Sequence, residues 1–241
     1  MKKCLNFGLS VIIFLFASIA CHAAVVFSED FESLSNGNLT GQGGWTGDTG
    51  VFVSDFGNNL PTRVLRRPPV SSGVFHQVFN TFDTTAYNGL VTFSFDAYAL
   101  SQYEAHNHGL TIRSSADNSV AFHWFSDRSG NPDTWLFNGV YYPLGFDKDV
   151  TLQIVFDKQT QMVWGRYDFG AGFVDTPQYA SGFTAAQLDS IDEIRYFQDS
   201  RLGRFGIEVD NITVTATAVP EPSSSILLAL GLMGLTFRRR K

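Results

Sequence analysis

The chain has 241 residues, of which 44% are hydrophobic and 15% aromatic, and only 17% carry charge. This composition is typical of a globular protein and excludes intrinsic disorder, which is poor in aromatic residues and rich in charge. Six of the 17 basic residues lie at the extreme ends, and one of the 23 acidic residues lies in the C-terminal tail. Residues 24–219 therefore hold 22 acidic and 11 basic residues, a net charge of −11. Because phosphate binding needs clustered lysine and arginine, nucleic acid is excluded as a partner.

The start of the chain has the three parts of a secretory signal peptide. A basic start precedes a 12-residue apolar run at 9–20, and small residues allow cleavage after Ala23. The run is short for a membrane-spanning helix. A lipoprotein acylated at Cys21 is the alternative, but Ser18 stands where a branched aliphatic residue is expected. Both cysteines, Cys4 and Cys21, belong to this leader, so the mature chain is predicted to have no disulfide.

The middle of the chain predicts strands rather than helices. Apolar and polar residues alternate over 91–99 and over 150–157, which is typical of half-buried strands. Asn138-Gly139 predicts a two-residue hairpin turn, because both residues accept a positive φ. Residues 184–190 predict the one short helix, with a capping box at its start. We therefore predict an all-β fold, an antiparallel β-sandwich forming one domain over residues 24–217.

The end of the chain has three further parts, which we treat as a unit at 218–241. A Pro-Glu-Pro triplet is followed by the apolar run 226–237 and then by four basic residues. Residues 223–237 predict about 22 Å of helix, which is shorter than the roughly 30 Å hydrocarbon core of a bilayer. A short transmembrane helix of this kind is a marginal anchor, and the positive-inside rule leaves the domain outside the cytoplasm. The residues predicted to carry the signal are Pro220, Glu221, Pro222, Arg238, Arg239 and Arg240.

These three parts in this order closely resemble the PEP-CTERM sorting signal of Gram-negative bacteria. The resemblance implies recognition by an exosortase, a membrane cysteine transpeptidase-like enzyme, with the triplet as the recognised site. It also implies passage through the periplasm, a transient hold in the inner membrane, and release to the cell surface or extracellular matrix. Proteins of this family are associated with biofilm and exopolysaccharide production.

The two edges of the domain carry a second resemblance. Asp30-Phe31-Glu32-Ser33 and the Gly41–Trp45 segment are similar to the opening of bacterial concanavalin A-like or laminin G-like jelly rolls, and residues 209–214 are similar to their closing strand. In that fold the first and last strands pair. A galactose-binding-like sandwich is the competing fold.

A glycoside hydrolase or lyase is one functional hypothesis for such a sandwich. Laminarinase-type enzymes carry Glu-x-Asp-x-Glu on one strand, which places the carboxylates on one face for acid and nucleophile roles. Here Glu208 and Asp210 match the first two positions, but Ile212 stands at the third. The incomplete motif favours a protein that is not an enzyme.

Metal ions are a second hypothesis. The apolar phase shifts after Val209, which predicts a β-bulge at Asp210-Asn211. If Asp30 lies beside this bulge, Asp30 and Asp210 offer oxygen ligands for a structural Ca²⁺. Glu104, His106 and His108 alternate and offer a Zn²⁺ site, although a solvated loop is the simpler interpretation.

Glycan binding is the third hypothesis, because sugars dock on exposed aromatic faces flanked by polar groups. The main candidates for such a platform are Trp135, Tyr142 and Tyr98. We therefore expect an exported, non-catalytic surface or matrix protein sorted by an exosortase, with a lectin-like carbohydrate-binding module as the alternative and exopolysaccharide as the partner.

Overall fold

The computed structural model describes residues 23–55, 60, 62–66, 74–99, 108–116, 121–126, 134–145, 147–200 and 207–218. The predicted signal peptide as far as residue 22 and the predicted sorting segment after Ala218 lie outside these residues. The described residues include no helix that is long and apolar enough to cross a membrane. They form strands throughout, with one short helix, so the predicted all-β class is confirmed.

The strands form two antiparallel sheets. The ten-stranded sheet contains β1 (Ala23–Glu29), β2 (Gly37–Asn38), β4 (Phe52–Ser54), β5 (Val64–Arg66), β7 (Leu90–Ala99), β12 (Asp149–Asp157), β13 (Met162–Asp168), β14 (Val174–Asp175), β15 (Tyr179–Ala180) and β17 (Ile207–Thr217). The seven-stranded sheet contains β3 (Thr46–Gly47), β6 (Val74–Thr81), β8 (His108–Arg113), β9 (Ala121–Ser126), β10 (Trp135–Phe137), β11 (Val140–Tyr142) and β16 (Glu193–Ser200). The helix α1 covers Ala185–Asp189.

The long strand β17 organises the ten-stranded sheet, whose order is β14-β13-β12-β7-β17-β5-β4-β2. On one side β17 pairs with β7, and on the other it pairs with β5 near its start and with β1 over its second half. The predicted pairing of the first and last strands is therefore confirmed. The second sheet runs in the order β11-β10-β9-β8-β16-β6-β3.

Local predictions are also confirmed. Asn138 and Gly139 have φ values of 42° and 86° and join β10 to β11, as a two-residue hairpin requires. Thr184 caps α1 through a capping box with Gln187. The register between β17 and β7 shifts between Asp210 and Thr213, and Asn211 has a φ of 51°. This shift is the bulge that the change of apolar phase predicted.

The core lies between the sheets and is rich in aromatic residues. Trp124 on β9 is fully buried, and its indole N–H donates a 2.7 Å hydrogen bond across the core to the carbonyl of Gln153 on β12. Its ring centroid lies 4.8 Å from that of Phe137 and 5.6 Å from that of Tyr142. This side chain therefore links the two sheets by a hydrogen bond as well as by packing.

Gly165 on β13 makes the close approach of Trp124 possible. A Cβ atom placed at Gly165 would lie 2.5 Å from Cζ2 of Trp124 and 3.0 Å from two ring carbons of Phe137. The φ of Gly165 is not in the left-handed region, so the requirement for glycine here comes from space and not from the backbone.

We predict that Gly165→Ala lowers the free energy of unfolding by about 1–3 kcal/mol, because overpacking forces a rigid indole and a buried ring to move. Chemical denaturation measures this change. The control is Gly170→Ala, where a Cβ meets nothing within 4 Å and only the backbone at φ 89° resists, at a cost of about 1 kcal/mol. Combining Gly165→Ala with Trp124→Phe should cost less than the sum of the two single changes. Strict additivity would show that the methyl group does not meet the indole.

Candidate functional site

The outer face of the ten-stranded sheet carries buried carboxylates at the bulge of β17. Asp210 is 2% exposed, and its carboxylate accepts hydrogen bonds from the hydroxyl of Thr62 and the backbone N–H of Asn211. Asp96 lies opposite Asp210 on β7 and accepts bonds from Thr151 and from the Asn211 side chain. Burial is the main cause that raises the pKa of Asp210, and the carboxylates of Asp96 and Glu32 raise it further.

The next row of this face contains Glu208 and Tyr98. They are register partners on β17 and β7, and Tyr98 is in turn opposite Asp149 on β12. Glu208 is 1% exposed and lies 3.9 Å from a guanidinium nitrogen of Arg66. Ile212, at the third position of the hydrolase motif, is buried in the core, because the bulge turns it to the opposite face of the sheet. The three positions of the motif therefore do not share one face.

On the same face, hydrogen bonds also join side chains of the neighbouring strands β7, β12, β13 and β14. The guanidinium of Arg166 on β13 donates to Asp175 on β14 and to the side chain of Gln153 on β12, and Gln153 donates to Ser94 on β7. These side-chain donors and acceptors therefore bond to one another within the sheet.

The outer face of the seven-stranded sheet has a different chemistry. Glu193 and Arg195 on β16 face outward, since Ile194 between them and Tyr196 after them are buried in the core. Glu193 is opposite Arg113 on β8, and Arg195 is opposite Phe79 on β6. We call this surface the arginine face and define it by Phe79, Arg113, Glu193, Arg195 and Phe197.

The arginine face is held by ion pairing and ring stacking. Nε of Arg113 lies 2.5 Å from Oε1 of Glu193. The guanidinium carbon of Arg113 lies 4.8 Å from the ring centroid of Phe79, and that of Arg195 lies 5.4 Å from the ring centroid of Phe197. Such stacking holds a guanidinium in a defined plane. Hydrogen-bond donors, an acceptor and apolar rings thus lie together on one sheet surface.

His123 and Thr111 border the arginine face. They are register partners on β9 and β8, and Thr111 is also opposite Arg195. Burial lowers the pKa of His123 to about 4, so its imidazole is neutral at physiological pH. The alternating Glu193-Ile194-Arg195-Tyr196-Phe197 run contained the signal for the face, but nothing in the sequence indicated that Arg113 would lie beside it.

The aromatic residues proposed for glycan binding are not brought together. Trp135 is 1% exposed, and its indole N–H donates to the carbonyl of Gly145. The expectation that Trp135 belongs to the solvated surface is wrong, because Trp135 and Phe137 face the core and only Leu136 between them faces outward. Tyr142 is half-buried and packs against Trp124, whereas Tyr98 is half-buried on the opposite sheet.

The candidate metal ligands are occupied by local hydrogen bonds. The carboxylate of Asp30, just after β1, accepts the backbone N–H of Glu32 and is exposed, while Asp210 is buried and bonded as described above. His108 is buried at the start of β8, and Glu104 and His106 lie outside the described residues. Within the described ranges, no three His, Cys, Asp or Glu side chains are grouped so that they could hold a metal ion. A Ca²⁺ site at Asp30 and Asp210 stays a prediction.

Comparison with known proteins identifies the C-terminal segment. Residues 218–241 match the PEP-CTERM protein-sorting motif. The sorting residues predicted above, from Pro220 to Arg240, all fall within this match. No curated protein matches the chain.

Comparison with solved structures identifies the fold. A peanut lectin structure with a bound 9-residue peptide is 11% identical, with 82% of this chain and 99% of that chain covered and a TM-score of 0.55. The CBM2 module of an evolved Dit protein from Lactobacillus casei BL23 phage J-1 is 14% identical, with 84% and 100% covered and a TM-score of 0.53. A carbohydrate esterase from the Shiga toxin-encoding bacteriophage phi24B is 13% identical, with 82% and 100% covered and a TM-score of 0.55. The predicted concanavalin A-like jelly roll is therefore confirmed.

We predict that Asp210→Asn raises the melting temperature at pH 7–8. A raised carboxyl pKa means that the folded state binds this proton more tightly than the unfolded chain, so stability falls as pH rises through the titration. Because Asn carries no charge, Asp210→Asn does not lose stability in this way as pH rises. Its gain in melting temperature over the wild type should therefore shrink towards acidic pH. Thermal melts across pH 4–8 measure it, with Asp175→Asn as the exposed control. A lower melting temperature in Asp210→Asn, together with a fall when EDTA is added to the wild type, would instead identify a Ca²⁺ ligand.

Proposed function

We propose that this protein is exported, sorted by an exosortase and displayed at the cell surface or in the extracellular matrix, where its sandwich binds carbohydrate without catalysing a reaction. The match of residues 218–241 to the PEP-CTERM protein-sorting motif carries the first part of the proposal. The predicted signal peptide supports export by the secretory route, with the inner membrane as a transient site and the periplasm as the compartment of transfer. A role with exopolysaccharide in biofilm is the biological setting that the motif suggests.

We predict that deleting residues 220–241 releases the protein from the membrane fraction and leaves its melting temperature unchanged. The last strand ends at Thr217, so the deletion removes no described strand pairing. Fractionation of cells and thermal melts of the purified domain measure the two effects. Deletion from residue 209 onward is the control, since it removes most of β17 and should prevent folding. A truncated protein that stays in the membrane would contradict the proposed role of the tail.

Carbohydrate binding is supported by the fold and by the chemistry of the arginine face. Among the similar structures are the lectin UEA-II complexed with galactose and a Bauhinia forficata lectin in complex with GalNAc. In our chain, the arginine face offers guanidinium donors and a carboxylate acceptor beside phenyl rings, the groups that sugar hydroxyls and C–H faces need. Tyr98 and Tyr142 remain the competing proposal for the platform.

We predict that the mature domain is retarded by polysaccharide in affinity electrophoresis. Arg113→Ala should weaken this retention at least tenfold, because it removes a preorganised charged donor worth about 1.5–3 kcal/mol. Tyr98→Ala, on the other sheet, should leave retention within about twofold. If Tyr98→Ala alone abolished retention, the site would lie on the ten-stranded sheet. If a broad set of polysaccharides gave no retention, the proposed carbohydrate binding would be wrong.

A further inference from the structure

We propose that the outer face of the ten-stranded sheet binds a neutral polysaccharide chain, with the indole of Trp164 as a stacking surface and side-chain hydroxyls of β7 and β17 as hydrogen-bonding groups. This inference goes beyond the proposed function, which places carbohydrate binding on the arginine face of the other sheet. Either site can exist without the other.

Four hydroxyl side chains lie together at the middle of this face. On β17, Thr213 and Thr215 alternate with buried core residues such as Val214, so their side chains point away from the core. On β7, Ser94 is opposite Thr213 and Thr92 is opposite Thr215. All four side chains are half-buried, as outward residues of central strands are. We call Thr92, Ser94, Thr213 and Thr215 the hydroxyl cluster.

The hydroxyl cluster has the chemistry and spacing to bind a chain of sugars. Its two rows are two residues apart along the strands, or about 7 Å, and neighbouring strands are about 4.8 Å apart. Each hydroxyl can donate one hydrogen bond and accept two, as the hydroxyls of a sugar can. The cluster therefore offers a repeating set of donors and acceptors over two adjacent strands.

Trp164 lies in the same row of the face as Thr92. It points outward from β13, because Val163 and Gly165 on either side of it are buried, and it is half-buried itself. Its register partner on β12 is Val155, whose partner on β7 is Thr92. Two strand spacings, or about 10 Å, therefore separate the indole from the nearest hydroxyl of the cluster. A flat aromatic ring beside polar groups is the combination on which a sugar ring docks.

The two rows of this face are uncharged from β17 to β12, and in one row as far as β13. One row contains Thr213, Ser94 and Gln153, and the other contains Thr215, Thr92, Val155 and Trp164. At the sheet edge, Arg166 is paired with Asp175. The domain as a whole has a net charge of −11 over residues 24–219, which repels an acidic polymer. An uncharged, hydroxyl-bearing surface on such a domain suits a neutral polysaccharide.

The composition of the face favours a sugar over a second copy of the chain. Four of the seven outward residues in these rows carry a hydroxyl group. Stable homodimer interfaces are large and mostly apolar at their centre. A polysaccharide, in contrast, can replace the water on these hydroxyls with hydroxyls of its own.

The test titrates cellohexaose, a neutral chain of six glucose units, into the mature protein. Calorimetry measures the affinity, and NMR follows the indole N–H of Trp164, which should shift in a saturable way. The same hexamer oxidised to a carboxylate at every C6 should bind about fivefold more weakly or worse, because the domain repels it.

Substitutions on the face then identify the site. Trp164→Ala should weaken the binding of cellohexaose about tenfold, because the stacking surface is lost. Thr92→Val and Thr215→Val should each weaken it about two- to tenfold, the effect of one neutral hydrogen bond. Valine keeps the branched shape that a strand favours, so these two variants should melt like the wild type.

Phe169→Ala is the matched control for the loss of an aromatic ring. Phe169 is 44% exposed just after β13, but its ring contacts Tyr167, which packs against the core on the opposite side of the strand from Trp164. This variant should bind cellohexaose within about twofold of the wild type. Arg113→Ala, on the other sheet, should leave the shift of the Trp164 indole unchanged.

Three results would overturn this inference: no binding of cellohexaose, equal binding of the two hexamers, or binding that is unchanged in Trp164→Ala and in both threonine variants. If binding depended on Arg113 and not on Trp164, the arginine face would be the sugar site and the proposed function would stand alone. If binding depended on Trp164 and not on Arg113, this inference would stand and the arginine face would not be a sugar site. A dimer that dissociates in Trp164→Ala and binds no sugar would show that a second copy covers the face, which also overturns the inference.

Discussion

The contact between Trp124 and the backbone of the facing sheet is the constraint on which the sandwich depends. The indole occupies the space that Gly165 leaves empty and donates its N–H to the carbonyl of Gln153. A buried indole N–H without an acceptor is costly, so the two sheets must keep the spacing and offset that allow this bond. Phe137 and Tyr142 then pack around the fixed ring and orient the β10–β11 hairpin. The same alignment of the two sheets determines which residues of β9, β8 and β16 point outward.

The bulge of β17 and the arginine face hold charged side chains in different ways. On the ten-stranded sheet, carboxylates are buried at the bulge and satisfied by Thr62, Thr151 and Asn211, which are neutral donors. On the arginine face, Arg113 and Arg195 are stacked on phenyl rings, and Arg113 is also paired with Glu193. Neutral partners hold a carboxylate in place without cancelling its charge, whereas ring stacking fixes the plane of a guanidinium. The second arrangement places charged donors beside apolar rings, which is why the proposed carbohydrate binding concerns that sheet.

The fold could be predicted from the sequence further than the site could. The alternation of β7, the Asn138-Gly139 turn and the phase shift at Asp210 are local signals, and local backbone geometry follows from them. The arginine face joins β8 to β16, whose paired residues Arg113 and Glu193 are 80 positions apart, and no local pattern encodes that register. The burial of Trp135 was missed for a related reason. A three-residue strand is too short for alternation to show which side is buried.

The course of β17 also determines how a pull on the C-terminal segment would act on the domain. The strand runs from Ile207 to Thr217, and antiparallel neighbours flank it on both sides. Its interstrand hydrogen bonds are perpendicular to the strand, whereas a force on the residues after Ala218 would act along it. The bonds would be loaded together, in shear, instead of being opened one after another as in a zipper. A domain held by its tail while its surface is engaged elsewhere would therefore resist mechanical unfolding at the point of attachment.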